Sequence, residues 1–464
     1  MTTTDLPAPS SQPRLRRALG PTALVLFGLT YLAPVTVFTT YGIVTKSTDN
    51  HLPSAYVVAL VAMLFTALSY GAMARRYPVS GSAYTYTQQA FGGHVGFLTG
   101  WTLMLDYLFL PMINFLLIGI YLNTQFPDVP QWVFALAALL LVLVFNVLGI
   151  TLVNRLNIAI VALSVLLVVV FAVLAIKELV TNPSAETPSL IEPFLPGEGG
   201  LGPVFAGAAV LALSFLGFDA VSTLAEEAKN PKRDIPRAIL LTTLIGGAIF
   251  IVVSWLGALV FPDWHAFGDV DSAGVDLMAK VGGTFLTSFF VAVYVVGAFG
   301  SGMTTQVSVS RIIYAMGRDR VLPGIFGRLH PRFRTPWVAA IAVSIVSLLA
   351  LVLTLDVAAT MISFGALAAF SMVNLSVIRT HLFPRGGRDA ASAGEWFRYG
   401  VLPAIGFLLT VWLWTSLTAT TFVVGLSWML LGAVYLAVLT RGFRRRPPVM
   451  DFSEKDTEPE PAGA

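Results

Sequence analysis

Apolar runs long enough to cross a bilayer follow one another along almost the whole chain, from about residue 21 to 440, with short polar stretches between them. A helix rises about 1.5 Å per residue, so roughly 20 apolar residues span the hydrocarbon core. Twelve runs meet that demand: 21–45, 54–74, 94–122, 131–150, 156–177, 202–227, 238–260, 283–308, 336–354, 357–379, 399–417 and 421–440. They predict an all-α, polytopic membrane protein with twelve transmembrane helices. Residues 1–20 read as a polar tail, 21–442 as the membrane domain, and the Pro/Glu-rich 443–464 as a disordered tail.

Charge supports this count. With both termini on the cytoplasmic side, all of the 28 basic residues except Lys46, Lys177 and Lys280 fall on that side. This is the positive-inside pattern, and a wrong number of spans would scramble it. It predicts a multi-pass protein of the cell membrane. Composition agrees: 56% of residues are hydrophobic and 11% charged, against about 25% charged in soluble domains. The net charge of +3 is too small and too scattered for a nucleic-acid surface, so the expected large partner is the lipid bilayer. The polar start, MTTTDLPAPSSQPRLRR, does not read as a cleavable signal peptide.

Several function classes drop out. With no cysteine there is no disulfide framework, thiolate metal site or thiol redox chemistry. No His/Asp/Glu metal spacing, nucleophile elbow or P-loop occurs. Neither an intramembrane enzyme nor a self-contained ATP-driven pump is expected, and no catalytic residue, metal or cofactor is assigned. A sensor would need a signalling domain that the short tails do not offer.

With Glu226 and Glu227 counted to the loop at the end of the sixth span, two of the 25 acidic residues remain inside predicted spans, Asp106 in LMLDYLFLP and Asp219 in SFLGFDAVSTLAEE, and no basic residue lies well inside a span to neutralise them. An ionised side chain at the bilayer centre costs at least ~2.5–3.5 kcal/mol. Each acid must therefore face a cavity, accept backbone hydrogen bonds, carry a proton or meet an arriving cation. Two spans also carry helix breakers. Pro34 in GLTYLAPV opens the first helix near 29–33, and Gly217 in FLGFDA weakens the sixth beside Asp219. Irregular backbone at membrane depth is tolerated where it lines a cavity or is buried in protein. Interruptions at positions one and six point to two five-helix halves with a site between them.

The candidate site therefore comprises Thr30 and Tyr31 at the first break, Phe215, Gly217, Phe218 and Asp219 at the second, and Asp106 or Tyr107. Consecutive residues on a helix point about 100° apart, so one of the last pair faces the site. Bulky Tyr31 and Leu32 disfavour a carboxylate-binding break. Acids with aromatic faces suit an ammonium group, each ring adding ~0.5–2 kcal/mol once water is excluded. Ser301, Thr304 and Thr305 place hydroxyls at i, i+3 and i+4 and would suit a sodium ion; close packing by small residues is the other reading. Glu226 and Glu227 are candidates for gating ion pairs with the Lys229–Arg237 loop, or for a simple anchor of the helix end.

The stretches GLTYLAPVTVFTTYGIV, VSGSAYTYTQQ, LMLDYLFLPMIN, SFLGFDAVSTLAEEAKNPKRDIPRAI and SVSRIIYAMGRDRVLP resemble the amino acid–polyamine–organocation transporters, and within them the bacterial putrescine importers, over about residues 14–445. The resemblance implies a LeuT-like 5+5 inverted repeat: halves at about 21–178 and 202–380, helices 1 and 6 broken, and two extra helices at about 399–440. It implies a secondary importer of putrescine or a close amine, driven by a proton or sodium gradient. An amino acid permease of the same superfamily is the alternative. By the resemblance, Tyr107 matches a tyrosine implicated in putrescine recognition, and Asp219 an acidic position of the sixth span. Amino acid carriers of the superfamily often have Glu at the positions of Asp106 and Asp219, so these acids alone do not select amines. Some proton-coupled relatives carry a lysine in the fifth span where this chain has Ser164.

Overall fold

Proline and glycine punctuate a chain that is mostly helical over its described residues. The computed structural model describes residues 19–78, 82–149, 153–182, 188–195, 197, 199–225, 227–318, 321–383, 392–445 and 447. In chain order the helices are α1 Pro21–Leu32, α2 Tyr41–Ser47, α3 Leu52–Arg76, α4 Ser82–Phe91, α5 Gly93–Gln125, α6 Gln131–Leu148, α7 Val153–Thr181 and α8 Leu201–Leu211. They continue with α9 Pro231–Val260, α10 Ala273–Arg318, α11 Trp337–Ser347, α12 Leu355–Leu382, α13 Ala393–Trp396, α14 Leu402–Thr415 and α15 Ala419–Leu439. Among the described residues there is no strand, only an isolated parallel bridge between Leu19 and Ala228.

Eleven helical segments among the described residues are long and apolar enough to cross a membrane. The run predicted at 336–354 is shorter, an apolar helix at Trp337–Leu351 that ends in a 3-10 turn. The run predicted at 283–308 is part of the much longer α10, which bends at Gly283, where φ is 63°. Of the predicted tails, 1–20 and 443–464, residues 1–18, 446 and 448–464 lie outside the described residues. The start of the second predicted tail is in contact with the helices: the Arg445 carbonyl lies 3.1 Å from His94 Nε2.

Close helix approach comes from small residues, as membrane packing requires. A Cβ on Gly71 of α3 would lie 3.2 Å from Pro236 of α9, and one on Gly247 of α9 would run into the Leu60 side chain of α3. The long α5 is buried along most of its length and packs against α4, α6, α10, α12 and α15. Against α15, Trp101 and Trp428 stack, and each indole N–H donates to the other's backbone carbonyl at 2.9 and 2.8 Å. Buried side-chain hydroxyls and amides join the remaining helices. The Gln306 amide donates to Ser344 between α10 and α11, and Asn374 of α12 donates to Thr66 of α3. These bonds fix the scaffold around α1, α8 and α5, where the irregular backbone lies.

Candidate functional site

Pro34 cannot donate an amide hydrogen, so the Thr30 carbonyl loses its ordinary helical donor. The backbone responds at Ala33, where φ is 48° and ψ is 106°. Helix α1 ends at Leu32, a 3-10 segment runs from Pro34 to Phe38, and α2 begins at Tyr41. In the second segment α8 gives way to 3-10 turns at Ala212–Phe215 and Ala220–Leu224, with Gly217 between them at φ 124°. A Cβ added to Gly217 would lie 2.8 Å from the Leu32 amide nitrogen and 2.9 Å from the Tyr31 ring. The two interruptions therefore touch, and only a glycine lets them.

Asp219 sits on the rim of this contact and is half-buried. Its Oδ1 accepts from the Gly217 N–H at 3.2 Å, and its Oδ2 from the Ser82 hydroxyl at 3.5 Å. The amides of its own residue and of Ala220 also face the carboxylate. That cradle orients the acid and supports a negative charge without cancelling it, since no basic side chain among the described residues pairs with it. Asp219 acts electrostatically on Tyr31, Tyr107, Tyr70 and Asp106, so these groups share one neighbourhood.

Asp106 and Tyr107 divide as adjacent helix positions must. Asp106 is 4% exposed and faces α12, where a Cβ on Gly365 would lie 3.3 Å from its own Cβ; its Oδ1 has no hydrogen-bond partner. Tyr107 stays half-buried. Tyr31, next to the last residue of α1, is 41% exposed. Phe215 and Phe218 are fully buried, the first against Tyr56 and Phe250, the second against Tyr70 and Phe370. The ring surface left open at this place thus belongs to Tyr31 and Tyr107. The Thr30 hydroxyl donates to the Leu26 carbonyl at 2.7 Å, which leaves its backbone carbonyl as the group Pro34 frees.

The ion-coupling and gating candidates make other bonds. Thr304 and Thr305 donate to the Gly300 and Ser301 carbonyls of their own helix; Ser301 and Thr304 are exposed and Thr305 is buried. The structure joins α10 to the first interruption elsewhere, at the Tyr294–Thr39 hydrogen bond, about two turns before Ser301. Glu227 uses its backbone carbonyl, accepting from the Leu19 N–H at 3.1 Å, which ties the start of α1 to the end of the second interruption. Glu226 lies outside the described residues.

Three contributors were not drawn from the sequence. Ser82 opens α4, an amphipathic helix too short to register as a span, although the YTYTQQ pattern marks it. Tyr70 comes from mid-α3, where a single tyrosine reads as packing. Pro111, four residues after Tyr107 and inside α5, frees the Tyr107 carbonyl just as Pro34 frees that of Thr30.

A bundle of apolar helices enclosing half-buried carboxylate and phenol groups at two touching interruptions is an arrangement suited to a membrane transporter. Comparison with known proteins sharpens this: residues 23–445 match the amino acid permease family, and the chain belongs to that family, within the amino acid–polyamine–organocation superfamily. It is 41% identical over 440 residues to the low-affinity putrescine importer PlaP of Escherichia coli (strain K12), covering 95% of this chain and 97% of that protein. It is 31% identical to the branched-chain amino acid permease BcaP of Bacillus subtilis (strain 168), over 94% of this chain and 95% of the relative. It is also 31% identical to cationic amino acid transporter 4 of Mus musculus, over 80% of this chain and 60% of that protein.

Proposed function

We propose that this chain is a secondary importer of putrescine or a closely related amine in the cell membrane, coupled to a proton or sodium gradient. The observation that carries the reading is the half-buried Asp219 carboxylate, held by backbone amides yet paired with no cation among the described residues, beside the open rings of Tyr31 and Tyr107. The likeness to a putrescine importer over nearly the whole chain points the same way. In this reading twelve spans form a 5+5 inverted repeat plus two, α1 and α8 are the broken helices, and both termini face the cytoplasm. One ammonium of the substrate meets Asp219, with the carbonyls freed by Pro34 and Pro111 as neutral acceptors. The rings of Tyr31 and Tyr107 flank the cation, and Asp106 lies behind them as a second, buried acid. A negative-inside potential drives entry of a dication, at about 2.3 kcal/mol per charge per 100 mV.

The 31% identity to a branched-chain amino acid permease and to a cationic amino acid transporter supports a second reading, an amino acid permease. Competition separates the two. Uptake of labelled putrescine into vesicles should be blocked by excess cadaverine and left nearly unchanged by equal lysine, which adds a carboxylate to the same carbon chain and so brings a second anion towards Asp219. Equal block by lysine, or block by leucine, would favour the permease.

A further inference from the structure

The two halves of the first span are not equally covered. On the side of the chain termini, α1 exposes Leu26, Phe27 and Tyr31. On the opposite side, residues 34–45 are buried or half-buried throughout, and so is α8 from Gly207 to the break. What covers residues 34–45 is specific. Tyr121 of α5 donates its hydroxyl to the Phe38 carbonyl at 3.1 Å, and the Tyr294 hydroxyl of α10 hydrogen-bonds that of Thr39. The two tyrosine rings lie 4.3 Å apart. Phe38 is wedged edge-on between Phe171 of α7 and Phe290 of α10. Three scaffold helices thus grip one short 3-10 segment immediately beyond the interruption.

We propose that Tyr121 and Tyr294 are positioning residues that latch residues 34–40 in place and close the route to the site from the side opposite the termini. The structure is then a conformation closed on that side. Phenols bonded to the Phe38 carbonyl and the Thr39 hydroxyl suit this task, because each bond is worth little alone and a few lost bonds release the segment. The aromatic wedge supplies contact area without directional bonds, so it can re-form on each cycle. This inference rests on the transport reading above, since a latch implies that the route opens.

The cysteine-free chain allows a direct test. Thr40 is 1% exposed and its hydroxyl has no partner, so Thr40→Cys is a mild change that reports opening. Reaction of purified Thr40→Cys protein with a bulky maleimide is followed over time, alone and combined with Tyr294→Phe or Tyr121→Phe. Each phenylalanine variant keeps the ring and loses the bond, and labelling should speed up by about tenfold. Tyr435→Phe removes a hydroxyl that bonds the Val321 carbonyl elsewhere in the fold and should leave the rate unchanged. Rates equal to Thr40→Cys alone in both latch variants, or equal acceleration by Tyr435→Phe, would overturn the latch. Where Tyr294→Phe fails to fold, Thr39→Val removes the same bond from the other side. Acceleration by the latch variants with no effect of saturating putrescine on any rate would leave the latch standing and count against the amine reading.

Discussion

Asp219→Asn is expected to lower putrescine uptake by about 10–100-fold while the protein still folds, the loss expected for a charge-assisted bond replaced by a neutral one. The argument is geometric. Asparagine keeps the shape of aspartate, and its oxygen can still accept from the Gly217 N–H that now holds Oδ1. The turn between the two 3-10 segments should therefore survive the substitution, and only the charge is removed. Uptake in proteoliposomes, read beside thermal unfolding, separates the two consequences. If uptake persists near the wild-type rate with an unchanged unfolding temperature, the carboxylate serves the turn and not the cargo. A loss of uptake together with a large fall in unfolding temperature would show that the charge is needed for the fold itself. Asp219→Glu is a useful companion, since it keeps the charge but pushes it towards Tyr31 and Tyr107 by one methylene.

Gly217→Ala should be nearly as damaging for a different reason. The residue holds φ 124°, a region costly for any residue with a Cβ, and that Cβ would stand 2.8 Å from the Leu32 nitrogen. Backbone strain of this kind costs about 1–3 kcal/mol, and forcing the two interruptions apart adds a similar amount. Since the contact itself forms the site, uptake should fall below about a tenth of wild type, with a lower unfolding temperature. Gly202→Ala provides the control: nothing lies within 4 Å of its added methyl group, and its φ carries no such penalty. Equal behaviour of the two variants would mean that the meeting of the interruptions is not needed for function.

Much of this was legible in the sequence because membranes make polarity expensive. Asp106 and Asp219 stand out as the acids within spans, and Pro34 and Gly217 as breakers beside them. The meeting of the two interruptions could only be expected as a class of arrangement; the contact of Gly217 with Leu32 is a fact of packing. Side-chain direction was legible only in part. The 100° step between Asp106 and Tyr107 demanded that they diverge, but not which would remain accessible, because that depends on Gly365 of a helix some 260 residues away. Phe215 and Phe218 were expected at the site because they flank Asp219. Both turn instead into aromatic clusters whose other members come from α3, α9 and α12. Helix α4 escaped a search for long apolar runs because it is short and amphipathic, and with it Ser82 escaped. Spacing placed the hydroxyls of Ser301, Thr304 and Thr305 on one face, but not their bonding: those of Thr304 and Thr305 donate within their own helix.

The central claim is that the Asp219 carboxylate receives a positively charged cargo. It is tested most directly by determining the structure of the protein with putrescine bound. The expected result is one ammonium within about 3 Å of the Asp219 carboxylate, flanked by the Tyr31 and Tyr107 rings. An amine bound elsewhere, with Asp219 still engaged only by Ser82 and the amides of its own turn, would contradict it.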